Sequence, residues 1–331
     1  MEKIELGNTG VRVGQLGLGC MQMGTATDEA TSFRMLDAFT DAGGDFLDTA
    51  DCYMWWGGPQ YSGGESEQLL AKWLARNGNR DRTFLATKVS GLPVNVPELH
   101  ASGLQGEEIW ANVRFEGAGA DTVRRGIDGS LKRLGVEHVD LYYVHVDDRK
   151  TPLEETLAAL AEVVAAGKAR FIGWSNVRTW RLDRVRQLAA QNGWPSPVAV
   201  QQRYSYLPQH PGTNHTSSAG EEMLDYLRDH RDVSLVAYSP ILANLYDSPD
   251  PQGHRFWPLY GNAKALDAVH TVAKELGATA NQVALAWLLK RRDPQAFALM
   301  GPRTWEQFET IVPAIDVRLS DEQFQHLEDS A

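Results

Sequence analysis

Two cysteines, Cys20 and Cys52, are all that 331 residues contain. That is too few for a disulfide framework, and their apolar or strand-end contexts favour reduced, packed thiols. Positive charge is scarce too: 32 Lys and Arg against 43 Asp and Glu leave a formal net charge of -11. This argues against nucleic acid as a partner, because phosphates are held by clustered cations. No apolar run approaches the roughly 20 residues of a membrane span. The polar start MEKIELGNTG lacks the apolar core of a secretory signal, so a soluble, cytoplasmic protein is expected. Low-complexity tracts, long charge runs and domain boundaries are also missing, and residues 1–331 read as a single domain. Gly14, Gly17, Gly19 and Gly24 do not make a G-x-G-x-x-G fingerprint. His210 and His215 have no supporting cluster of ligand spacing, so they read as loop residues and no metal is expected.

What is present is an alternation of short apolar runs with longer amphipathic segments, the pattern of repeated βα units. Eight strands are expected, at 15–20, 45–48, 83–88, 139–145, 169–174, 198–201, 234–238 and 296–300. Eight such units on a chain of this size favour an α/β fold of the closed (β/α)8 TIM-barrel type over an open sheet. Residues 2–15 read as an N-terminal hairpin turning at Asn8 to Gly10, able to cap the barrel floor. Gly78 and Gly167 read as helix C-caps. Long loops at 89–120, 205–220 and 239–262 follow strands and therefore fall on the C-terminal face. The segment TANQVALAWLLKRR reads as an extra helix inserted before the eighth strand.

In a barrel, groups at the C-terminal strand ends face one mouth. Those groups are Asp48 and Tyr53 after the second strand, Lys88 and His145 ending the third and fourth, Ser175 and Asn176 after the fifth, Gln201 on the sixth and Tyr238 on the seventh. Their chemistry is that of a proton-donating oxyanion site without a nucleophile. A tyrosine is too weak an acid at neutral pH, and a lysine ammonium is expected to lower its pKa. Asp48 would hold that lysine, since a buried ammonium needs a counter-charge. His145 would hydrogen-bond a carbonyl oxygen, and such a set suits carbonyl reduction by an external hydride.

These residues stand in segments, FLDTADCY, FLATK, DLYYVH, GKARFIGWSN, QQRY, LVAYSP and MGPRTWEQ, that together resemble the aldo-keto reductase superfamily from Leu16 to about Gln307. The resemblance implies a metal-free barrel that uses NADPH, or less often NADH, to reduce an aldehyde or ketone, a sugar or keto-sugar included. It implies Tyr53 as general acid, Lys88 and Asp48 tuning it, and His145 orienting the carbonyl. Ser175, Asn176 and Gln201 would hold the nicotinamide carboxamide beside Asp48, with Tyr238 stacked on the ring. Ser239, Pro240, Ile241 and Leu242 would begin the pyrophosphate loop, and Met21 joins the cofactor set. Gly301, Arg303 and Gln307 would face the adenosine end, Arg303 favouring NADPH through a 2′-phosphate. Ile311 replaces an expected Asn, and the segment after Tyr238 lacks the family's glycine-rich form. Trp55, Trp56 and Trp110 are expected to wall the substrate pocket. A cofactor-binding regulatory subunit is the alternative reading, and a lysine Schiff-base lyase a weaker third.

Overall fold

A computed structural model of the chain describes all residues except 77, 105 and 213–216. Strands β1 (Lys3–Glu5) and β2 (Arg12–Gly14) pair antiparallel as the hairpin. The next four strands are β3 (Leu16–Gly19), β4 (Phe46–Asp48), β5 (Phe84–Val89) and β6 (Val139–Val144). They are followed by β7 (Ala169–Ser175), β8 (Ala199–Arg203), β9 (Ser234–Tyr238) and β10 (Ala296–Met300). These eight strands run parallel and close into a barrel, β10 pairing with both β9 and β3. The expected (β/α)8 barrel with its hairpin is therefore present.

Side chains two apart on a strand share a face, so each strand feeds two cores. Outward residues such as Leu47, Leu85, Tyr142, Ile172 and Val200 pack under the surrounding helices. Inward residues, including Phe46, Phe84, Ala86, Leu141, Tyr143, Ala199, Val236 and Phe297, fill the barrel lumen. The lumen is tight enough to dictate glycine. A Cβ on Gly173 would come 2.5 Å from the Tyr143 ring, and one on Gly17 would come 2.7 Å from Leu299 and 2.8 Å from Phe46.

The hairpin closes the floor by adding Ile4, Leu6 and Val13 to the lumen cluster. At its turn the backbone N–H of Gly7 donates to Ser234 Oγ at 2.8 Å. At the other end the 89–120 connection contains two short helices, Val96–Ser102 and Gly106–Ala111, and is not a bare loop. Three helices, the single turn Trp257–Tyr260 and the longer Ala263–Leu276 and Ala280–Lys290, separate β9 from β10, the last being the expected insertion. The start of that helix is tied to the 239–262 loop by Asp247, whose carboxylate accepts from the N–H groups of Ala280 at 2.9 Å and Asn281 at 3.0 Å.

One cap expectation is corrected. Gly167 does adopt the left-handed conformation just past the helix Leu153–Ala165 (φ 71°). The helix Glu65–Leu74 instead ends at Ala75, and Gly78 (φ 68°) opens the 3-10 turn Asn79–Arg82.

Gly7 has φ 52°, and an added Cβ would lie 2.4 Å from the backbone oxygen of Asp232. Gly7→Ala is therefore expected to destabilise the protein by roughly 1–3 kcal/mol, read as a lower urea midpoint at unchanged slope.

Candidate active site

The residues at the mouth continue the inward row of the lumen by one more step. Asp48 follows Phe46, Lys88 follows Ala86, His145 follows Tyr143, Gln201 follows Ala199, and Tyr238 follows Val236. The strand parity that packs the barrel thus aims polar groups inward where the apolar layers stop.

Lys88 is fully buried and ion-paired with Asp48 on the adjacent strand. Its ammonium also donates to Thr49 O at 2.7 Å and to the Tyr53 hydroxyl at 2.6 Å. The second Asp48 oxygen accepts from Gln201 Nε2 at 2.8 Å. Tyr53 meets the His145 ring edge-to-face, with centroids 5.6 Å apart. Asn176, held at φ 54°, donates to His145 O at 2.8 Å and to Ser175 Oγ at 3.1 Å, and accepts from the Tyr238 hydroxyl at 2.9 Å. Ser175 Oγ donates to Gln201 O at 2.9 Å. All eight mouth residues expected from the sequence are brought together, and the carboxamide candidates bond chiefly to one another.

The electrostatics differ from expectation in one respect. Burial, with the Asp48 carboxylate nearby, pushes the Tyr53 phenol well above its ordinary value, not below it. The cause is that Lys88 is neutralised by Asp48, so desolvation of the phenolate outweighs the cation. Burial and the positive charge of Lys88 hold His145 well below the ordinary histidine value, leaving a neutral imidazole.

The tryptophans divide between two jobs. Met54 is left-handed (φ 70°) directly after Tyr53, and the 3-10 turn Trp55–Gly57 follows. Trp55 is turned under the loop and buried, Trp56 is half-buried, and Trp110 is 48% exposed. The three rings interlock at centroid distances of 5.8, 5.2 and 5.4 Å. His100 Nε2 lies 2.6 Å from Trp55 O and adds a polar tie between the same two loops. Trp55 is accordingly a foundation for the loop, while Trp56 and Trp110 keep exposed surface.

Toward the other side of the mouth, Leu242 is fully buried and its side chain packs in the outer core. Leu242, Ala243 and Asn244 are all left-handed, and Asn281 Nδ2 donates to Asn244 Oδ1 to hold this bend. Ser239 and Ile241 remain at the surface of the bend, Pro240 is buried, and Met21 is half-buried after β3. Gln307 Oε1 accepts from the backbone of Arg303 at 2.8 Å, which shapes the loop carrying Gly301 and Arg303. Ile311 is buried and makes no surface there. His210 is tied to Pro258 O and Gly261 O, while His215 lies outside the described residues. No group of three metal-ligating side chains occurs among the described residues.

Several residues escaped the sequence reading. Arg255, in the 239–262 loop, is held below the ordinary arginine range by burial and by the guanidiniums of Arg303 and Arg203. None of these three arginines has a carboxylate partner among the described residues. Arg34 stacks 3.6 Å from the centre of the Trp305 ring, at the first turn of the helix Trp305–Ile311. Only the fold brings such positions together, although the length of the 239–262 loop hinted at a function for it. Asp51, and Cys52 beyond its packing, have no role in the sequence reading although both stand inside the FLDTADCY segment.

An α/β barrel carrying a buried Lys–Asp pair, a tyrosine and a histidine at its C-terminal mouth defines an oxidoreductase-type site. The profile of the Aldo/keto reductase family matches residues 15–331, and the chain belongs to that family. It is 33% identical over 338 residues to the uncharacterized oxidoreductase YrpG of Bacillus subtilis (strain 168), covering 99% of this chain and 95% of that one. It is 31% identical to the norsolorinic acid reductase stcV of Emericella nidulans, covering 97% and 79%. An aryl-alcohol dehydrogenase, GME11368, of Pestalotiopsis microspora is 30% identical, covering 96% and 79%. Among solved structures, the thermostable aldo-keto reductase Tm1743 in complex with the inhibitor epalrestat superposes with a TM-score of 0.73 at 26% identity, each chain fully covered. The protein is an NAD(P)H-dependent oxidoreductase of the carbonyl-reducing class.

Asp51 sits behind the mouth with its Oδ1 buried and without a partner among the described residues. Burial, then Glu116 and Glu67, push its pKa well above the ordinary carboxylate range. The unfolded chain loses this proton near pH 4 while the folded chain keeps it, so stability attributable to Asp51 falls as pH rises from there toward the raised value. Asp51→Asn should remove that loss. Its unfolding midpoint is expected to decline less than the wild type's between about pH 5 and about pH 8.

Proposed function

We propose that the protein reduces an aldehyde or ketone to the alcohol with NADPH, Tyr53 delivering the proton. The observation that carries this reading is the Tyr53 hydroxyl, 2.6 Å from a fully buried ammonium that is itself paired with Asp48. A phenol that keeps its proton until a carbonyl oxygen gains negative charge is a suitable donor, and Lys88 stabilises the phenolate that donation leaves. His145, neutral and beside Tyr53, would donate a second hydrogen bond to the same oxygen. When bound, the reduced nicotinamide supplies the hydride that goes to the carbonyl carbon.

The donor set fits that cofactor. Tyr238 offers a ring face, and Ser175, Asn176 and Gln201 offer amide and hydroxyl groups able to exchange their mutual bonds for bonds to a carboxamide. Arg203, Arg255 and Arg303, close together without carboxylate partners among the described residues, form an anion site suited to the cofactor's phosphates. The third cation favours the phosphorylated dinucleotide. On the substrate side, Trp56 and Trp110 present flat apolar faces, which suits a planar or aromatic group beside the carbonyl. The aryl-alcohol dehydrogenase among the relatives agrees with this choice over a sugar.

Tyr53→Phe is expected to keep cofactor affinity, measured by fluorescence titration, while kcat falls by about 10²- to 10⁴-fold. Wild-type-like turnover of aromatic aldehydes in that variant would refute the assignment. Arg303→Leu should weaken NADPH by about tenfold and leave NADH nearly unchanged; equal losses for both would return the 2′-phosphate contact to other residues.

A further inference from the structure

The thiol of Cys52 lies 3.4 Å from His145 Nδ1. Cys52 belongs to the loop that carries Tyr53 and His145 follows β6, so the contact bridges the two groups that would share a carbonyl oxygen. It is enclosed: Cys52 is 3% exposed, and a Cβ on Gly91 would come 2.8 Å from Nδ1 and 3.1 Å from the sulfur. We infer that Cys52 is a positioning residue, whose S–H donates to Nδ1 of His145 and thereby fixes the imidazole tautomer that carries its proton on Nε2.

The alternatives are few because each partner has one proton to place. Lys88 and Tyr53 face the imidazole, and Asp51, Lys88 and Glu116 act on the thiol, Lys88 alone of the three lowering its pKa. Burial, then Asp51, push the thiol well above its ordinary value, so the sulfur stays protonated and is a donor. Burial keeps the imidazole neutral, so one ring nitrogen is a bare acceptor. An N–H donating to sulfur would use a weak acceptor and leave Nε2 bare. The reverse arrangement gives the better acceptor to the S–H and puts the proton on Nε2, across the ring from the sulfur. Which nitrogen carries the proton is set by the bond made by the other. Only the Nε2–H form can donate to a substrate oxygen, so the inference rests on the carbonyl-orienting reading of His145 for its consequence in turnover.

The test uses the full chain labelled with 15N-histidine, with His145→Gln to assign its signals among nine histidines. The expected wild-type spectrum shows a bare Nδ1 and a protonated Nε2. Cys52→Ala should mix the tautomers and lower kcat and kcat/KM together by roughly three- to tenfold, with cofactor Kd unchanged, and Cys52→Ser should recover most of the loss. A proton on Nδ1 in the wild type would overturn the inference even if Cys52→Ala failed to fold. So would a Cys52→Ala protein whose spectrum and kcat both match wild type. Full turnover by His145→Gln would instead sink the carbonyl-orienting role, and the spectrum would still decide the tautomer.

Discussion

The ion pair between Lys88 and Asp48 is the constraint around which the mouth is organised. Both groups are buried, and two charges removed from water are costly unless their remaining valences are satisfied. Here they are: Lys88 also donates to Thr49 O and Tyr53, and Asp48 also accepts from Gln201. The strands supplying these partners stand around the barrel, β4 and β5 side by side and β8 on the other side of the lumen. Removing either charge would leave the other buried alone. The pair therefore fixes the mouth geometrically, and the packed lumen below it, with Phe46, Tyr143 and Phe297, keeps water from relaxing it.

That arrangement also decides protonation. A lone ammonium 2.6 Å from a phenol would draw its proton off, which is what a reading of residue types suggests. A neutralised ammonium in a dry site does not, and Tyr53 stays protonated. The difference matters for catalysis on the proposed reading. A group already ionised in the resting enzyme has no proton to give, whereas a neutral phenol beside a compensated ammonium gains stabilisation only as its proton leaves. Interaction that strengthens along the reaction accelerates it, and uniform interaction does not.

Much of this was legible in the chain because it depends on local rules. Eight strand segments were visible as apolar runs, and the mouth residues follow from strand parity, since 46 and 48, or 84, 86 and 88, share a face. What was not legible depends on single dihedrals or on distant loops. Whether Trp55 or Trp56 is buried turns on the left-handed Met54, a conformation no residue type announces. The failure of Gly78 as a cap follows from a helix that stops at Leu74, a boundary that periodicity does not mark. Arg203, Arg255 and Arg303 are far apart in sequence and meet only when the barrel closes.

Those arginines set a local field opposed to the charge of the whole. The chain is strongly acidic, yet one side of the mouth gathers three guanidiniums without carboxylates among the described residues. Like charges held together repel one another, and on the proposed reading the cofactor's phosphates would remove that repulsion as well as adding their own attraction. Arg255 lies on the 239–262 loop, whose left-handed bend is held by Asn281 and whose later turn, through Asp247, caps the inserted helix. On the proposed reading, the inserted helix thus has a reason to be there. It holds in place a loop that brings a positive charge toward two others, and its contacts oppose the repulsion among them.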